Sequence, residues 1–264
     1  MRKSLPSIFA PEAHESRSDR YVYISTESML TRLMHGGFMP VEARTVLPRD
    51  ETRTGFSKHM LRFRGRGDLA KPDNNFRGEA AYEVILRNAH DGTGSYQMCA
   101  GLIRYACENG MVISDGTVGM IRVQHLGARL MEHVLAGMGA ILEQGPSVGK
   151  RITAWRRMEM NAEEREAFAR AAHKLRFGKP DGQVSVIKPE QLLVPRRTSD
   201  LGKSLWDVFN VVQENAMKGG LEGRTTTHHR RITTRPISSI DDDMRLNRQL
   251  WELAEVTARK KELV

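Results

Sequence analysis

Only two cysteines occur in the 264 residues, Cys99 and Cys107. Two thiols eight positions apart make no disulfide framework, so a reduced interior is expected. They form no Cys-x-x-Cys pair. A zinc site built from them with His90 and His125 would lack the paired ligands such sites use, and small buried apolar residues are the expected reading. No run of about 18 apolar residues occurs, so no transmembrane helix is expected. The N-terminus starts basic but has no apolar stretch behind Arg2 and Lys3, so a secretory leader is not expected. A cytoplasmic location without membrane association follows as the expectation. Gly-x-Ser-x-Gly is missing, as are helix-turn-helix and zinc-finger patterns and internal repeats. Gly145-Pro-Ser-Val-Gly-Lys150 lacks the spacing of a phosphate loop and follows a helical pattern, not a strand.

What the chain has in excess is positive charge. Forty-one Lys and Arg against 32 Asp and Glu give a net charge of +9. Such a balance favours polyanions through counterion release and needs no catalytic group. The stretch Gly55–Arg66 alternates, with His59, Leu61 and Phe63 on one side and Lys58, Arg62, Arg64 and Arg66 on the other. Period two predicts a strand with a row of cations on one face, uninterrupted by acid along the strand. Phe56, Phe63 and Phe76 lie near enough to stack bases beside that row. Arg156-Arg157, Arg196-Arg197 and an acid-free segment from Gly223 to Pro236, carrying His228, His229, Arg230 and Arg231, add further cations.

The elements follow from local pattern. Residues 1–20 read as a flexible arm and Tyr21–Ser25 as a short strand. Thr26 to Met34 reads as a helix ended by Gly36-Gly37, and 40–53 as an irregular connection. Ala81–Arg87 and Val118–Gln124 read as strands. Asp91-Gly92 and Asn109-Gly110 read as hairpin turns. Leu102–Cys107 is open between strand and helix. A long helix from Leu126 to about Gly145 should pack on the sheet. A charged helix over 152–175 carries a capping-box signature, Asn161 with Glu164, that would split it. Further helices are expected near Pro189, from Ser204 to Lys218, and from Asp241 to the end. The pattern is α+β: an antiparallel sheet over about 55–125 packed on a long helix, then a mainly helical part. It divides as an arm (1–20), a β-rich core (21–145) and a helical region (146–264) taken as part of the same domain.

Candidate chemistry is thin. Adjacent residues of an extended segment point to opposite faces, so His90 and Asp91 do not make a base and its orienter. Asp91 fits the turn. Asp241–Asp243 fits a helix N-terminus better than a metal site. Arg104, a cation within an apolar run, either pairs internally or faces a phosphate.

His90-Asp91-Gly92, Gly101-Leu-Ile-Arg104 and Cys107-Glu-Asn109-Gly110-Met111 together resemble a family found in phages and plasmids, the domain of unknown function numbered 932. Tyr23-Ile-Ser-Thr26, Gly37-Phe38-Met-Pro40, Trp206, Phe209-Asn210, Gln213-Glu214, Gly219-Gly220 and Leu246-Asn247 with Leu250-Trp251 extend the resemblance over most of the chain. The order of strands and helix also resembles the plan of single-strand annealing proteins of the Rad-fifty-two type, an analogy of topology. That resemblance implies an ATP-independent single-stranded DNA-binding and annealing protein of phage or plasmid recombination. It would form homo-oligomers, as rings in that plan, use no cofactor or metal, and act in the bacterial cytoplasm. The residues expected to hold DNA are Lys58, Arg62, Arg64, Arg66 and Arg104, with Arg230 and Arg231 as auxiliaries. The rival readings are a phage protein that blocks a host defence complex, and a metal-dependent nuclease using His90, Asp91 and Asp241–Asp243.

Overall fold

The computed structural model describes residues 4–66, 80–106, 109–113, 120–125, 137, 139–141, 143, 145–178, 185–225 and 230–263. The architecture is α+β, an antiparallel sheet followed by a helical part. The chain divides into two compact units, 1–147 and 148–264.

In the first unit, α1 (Thr26–His35) starts where the Ser25 hydroxyl accepts from the Ser28 amide. It ends at Gly36, followed by Gly37 at φ +85°. Then come β1 (Phe38–Thr45), β2 (His59–Gly65), β3 (Ala80–Asn88), β4 (Tyr96–Arg104), β5 (Asn109–Val112) and β6 (Met120–Val123). Strands β1 to β4 form an antiparallel meander, and β5 and β6 both pair with the far edge of β4. Of the helix expected from Leu126, residues 137 and 139–141 are described as helical. The rest lies outside the described residues.

Register assigns the faces. Leu61, Phe63, Val84, Leu86, Met98, Ala100 and Leu102 share one buried face, to which Met29, Leu30 and Leu33 of α1 add their side chains as core. The opposite face carries Met60, Arg62, Arg64, Glu83, Ile85, Arg87 and Cys99.

Three expectations need correction in this unit. Tyr21–Ser25 is not a strand; the Val22 amide bonds the His125 carbonyl at 2.7 Å and the Tyr21 hydroxyl bonds the Ala89 carbonyl at 2.9 Å. The connection expected at 40–53 contains most of β1, an edge strand where Pro40 is tolerated beside a bulge between Pro40 and Glu42. Asn109-Gly110 is not the hairpin turn but the start of β5, with Asn109 paired to Arg104. The arm is also partly fixed: Pro6–Phe9 forms a 3-10 turn, and Ser7, Ile8, Ala10 and His14 are buried.

The second unit follows the sequence reading except at its first helix, which begins at Gly145, where a helix end was expected, and not at 152. Helix α2 (Gly145–Arg157) and α3 (Ala162–Phe177) are separated by the Asn161–Glu164 capping box. A 3-10 turn at Pro189–Leu193 precedes α4 (Leu205–Lys218). The ribbon of β7 (Glu222–Arg224) and β8 (Arg231–Thr233) leads to α5 (Ile240–Glu262). All three tryptophans, Trp155, Trp206 and Trp251, are buried here around Phe209. The Trp155 and Trp251 rings are 4.6 Å apart. Beside them Gln213 donates to Asn247 Oδ1, and Asn247 donates to Asp243 Oδ1, each at 2.7 Å. Asp243 therefore serves the α5 start, as do Asp241 and Asp242 in the same first turn.

Candidate anion-binding surfaces

The row on β2 is where the expected DNA contacts begin. Lys58, Arg62, Arg64 and Arg66 do lie on one side, yet they do not stand open together. Arg62 is 2% exposed, and its Nε donates to Glu83 Oε2 at 2.6 Å. Its Nη2 also donates to the Met111 carbonyl at 3.1 Å. Arg64 Nε takes the other Glu83 oxygen at 2.7 Å, and its guanidinium lies over the Tyr105 ring. No acid interrupts the row along the strand, but Glu83 meets it from β3, where it is Arg64's register partner.

The Arg62 side chain passes over β3 to reach carbonyls of β4 and β5, so the sheet curls around this face. Two glycines make room. A Cβ on Gly110 would stand 2.4 Å from the Arg62 Cζ, and one on Gly101 would meet Ile85 at 2.7 Å. Arg62 is accordingly a buried ion-pair member, not an open phosphate contact. Arg104 is likewise buried, at 7% exposure and with a partner of its own. Phe63 is core, while Phe56 packs edge-on against His14. Arg66 stays exposed.

The other cation pairs divide in the same way. Arg197 bridges Asp200 and Glu214 at 2.8 and 2.6 Å. Arg196 bonds Asn215 and the Gly219 carbonyl, and Arg156 lies over Trp206. By contrast, Arg224, Arg230 and Arg231 are exposed on the β7–β8 ribbon, where Glu222 pairs with Arg231. His228, His229, Phe76 and Cys107 lie outside the described residues.

The His90–Asp91 segment forms scaffold on one side and a cleft on the other. Thr26 Oγ1 lies 2.8 Å from His59 Nε2 and 3.2 Å from His90 Nε2, and it accepts from Asn88 Nδ2 at 3.0 Å. His59 Nδ1 faces the Ser57 carbonyl, which fixes that nitrogen as the donor and leaves Nε2 to accept from Thr26. Burial pushes the His59 ring down to about 4. Burial, with His59 and His125 as neighbours, pushes His90 down to about 3. These are neutral structural rings, not bases poised near neutrality.

Asp91 closes the turn: its Oδ1 accepts from the Thr93 amide at 3.0 Å and the Thr93 hydroxyl at 2.6 Å, with Gly92 at φ +77°. Outside that turn lies a cleft of 380 Å³ whose lining includes Arg17, Ser18, Tyr21, Ser95, Arg122 and His125. None of its lining residues is acidic. The Tyr21 and His125 rings stack, with centroids 4.5 Å apart. Sequence reading missed this cleft. Its signal was the Gly-Thr-Gly-Ser run after Asp91, but Arg17 and Arg122 join it only through the fold. Among the described residues no group of three potential metal-ligating side chains occurs.

The chain is 39% identical over 251 residues to the UPF0380 proteins YafZ and YfjQ of Escherichia coli strain K12, covering 95% of this chain and 87% of each relative. No solved structure matches it. The family model for the domain of unknown function DUF932 matches residues 13–251, and the chain belongs to that family.

Proposed function

We propose that the protein binds single-stranded DNA through its phosphate backbone and promotes annealing without ATP. The observation that carries this reading is the ribbon of β7 and β8, which offers Arg224, Arg230 and Arg231 to solvent in a chain of net charge +9. Exposed guanidinium groups hold phosphates without reading bases, which leaves the bases free for a partner strand. The working contacts are Arg230 and Arg231 on the ribbon, with Lys58 and Arg66 at the two ends of the β2 row, while Arg64 stays with Glu83. Arg62 and Arg104 act on the fold instead. Self-association would repeat weak contacts along a strand and multiply their effect.

The test is fluorescence anisotropy with a labelled oligothymidylate across a salt series, followed by strand annealing in EDTA without nucleotide. Micromolar or tighter binding that weakens steeply with salt is the expected result. Replacing Arg230 and Arg231 together with glutamine should lower the log–log salt slope by about 1.4, the share of two phosphate contacts on a single strand. Absence of binding at low salt would remove the proposal.

A further inference from the structure

The cleft beside the Asp91–Ser95 turn has the makings of a seat for a specific anion. Arg17 and Arg122 reach it from distant parts of the chain, and neither forms an ion pair among the described residues. The Arg122 Nε donates to Ser95 Oγ at 3.3 Å, and Gln97 Nε2 donates to the same oxygen at 3.1 Å. With its oxygen accepting twice, the Ser95 hydroxyl keeps its proton for a ligand. The Arg17 guanidinium lies over Gly92, where a Cβ would stand 2.1 Å from Nη1. At Gly94 a Cβ would stand 3.3 Å from Arg87 Nη2 and 3.4 Å from Lys58 Cε. Bare backbone at these two positions makes room for three cations around one turn, and Arg122 joins them at Ser95. Asp91, which precedes the lining residue Gly92, is buried and bonded to Thr93.

We infer that this cleft binds the phosphate monoester of a nucleotide, either the 5′ end of a DNA strand or a free mononucleotide. Two guanidinium groups without carboxylate partners among the described residues match a dianionic monoester better than the single charge of a backbone diester. A volume of 380 Å³ accommodates more than a phosphate. Tyr21, stacked on His125, gives the cleft a flat aromatic wall of the kind on which bases rest. This inference deepens the single-strand reading when the ligand is a strand end and stands apart from it when the ligand is a free nucleotide.

The experiment compares labelled oligothymidylates of one length with a 5′-phosphate or a 5′-hydroxyl, with thymidine monophosphate as competitor. The proteins are the intact chain, Arg122→Gln and Gly92→Ala. Arg122 is solvent-exposed, so its substitution should keep the fold, which circular dichroism checks. Gly92→Ala displaces the Arg17 guanidinium by a different route. The expected result is about tenfold tighter binding of the phosphorylated strand, a 1.4 kcal/mol preference, competed by the mononucleotide. Both variants should lose that preference while keeping the residual strand affinity of the ribbon arginines.

If the mononucleotide binds, Arg122→Gln abolishes that binding and neither strand binds at all, the cleft assignment holds for a free nucleotide and the single-strand reading falls. If both strands bind equally and the mononucleotide fails to compete, the cleft inference is overturned while the single-strand reading survives. Failure of all three ligands overturns both.

Discussion

Thr26 holds three side chains at the start of α1, and its hydroxyl gives two histidines that burial keeps neutral a hydrogen-bond partner inside the fold. It donates to His59 Nε2, and in that arrangement accepts from His90 Nε2 and Asn88 Nδ2. The unfolded rings titrate near 6.5, but the folded ones only at about 4 and about 3. With folded values depressed, the unfolded chain takes up protons first as pH falls. The stability these rings contribute is therefore complete above about pH 6.5 and is lost as pH drops toward their folded values. The steepest loss is roughly 2.7 kcal/mol per pH unit for two rings titrating together. Urea titrations at about pH 7 and about pH 5 should show this loss, and His59→Gln should reduce the pH dependence while lowering stability at neutral pH, the rest remaining with His90 and His125, which burial also depresses. Equal stability of the intact chain at both pH values would contradict the assignment of neutral buried rings. The sequence exposed part of this: His90 and Asp91 already read as scaffold from turn chemistry and strand alternation. His59 looked merely apolar-facing, because its partner Thr26 lies 33 positions away.

The strands show why a charge on an element cannot be assigned from that element alone. Arg62 is answered by Glu83, 21 positions on, through a hydrogen-bonded ion pair at 2.6 Å inside a curled sheet. The helices were legible because their signals are local: apolar spacing, the Ser25 and Ser204 caps, and the Asn161–Glu164 box. Strand β1 was not, because Pro40 looks like a breaker until the strand is known to be an edge. Asn109-Gly110 misled for a related reason: its glycine makes room for Arg62, which reaches over from β2, and does not form a turn. Gly110→Ala should therefore destabilise the first unit by about 1–3 kcal/mol through overpacking against the guanidinium. Arg62→Met should cost about 3–5 kcal/mol by leaving Glu83 buried with Arg64 alone. The double variant should cost clearly less than the sum, since removing the guanidinium removes the clash. Simple additivity in denaturant titrations would mean that Gly110 does not accommodate Arg62.

At the scale of the whole molecule, the chromophores are sorted between the two units. The five tyrosines, Tyr21, Tyr23, Tyr82, Tyr96 and Tyr105, all lie in the unit 1–147, and the three tryptophans all lie in 148–264. Each unit has its own core, Phe63, Ile85 and Leu86 among others in the first, and the tryptophans with Phe209 in the second. Indole fluorescence, excited where tyrosine does not absorb, thus reports the helical unit. Tyrosine absorbance reports the sheet once the tryptophan contribution is subtracted. Arg62→Met and Gly110→Ala act on packing within the sheet, so both should shift the tyrosine-reported denaturation midpoint and leave the tryptophan-reported one nearly in place. Equal shifts in both signals would show that the chain unfolds as one cooperative body. The same measurement bears on the proposed ligands. A nucleotide bound beside Tyr21 stabilises the unit that holds the cleft by mass action, so it should raise the tyrosine-reported midpoint. A strand held only by Arg230 and Arg231 should raise the tryptophan-reported midpoint instead, which separates the two binding surfaces in a single titration.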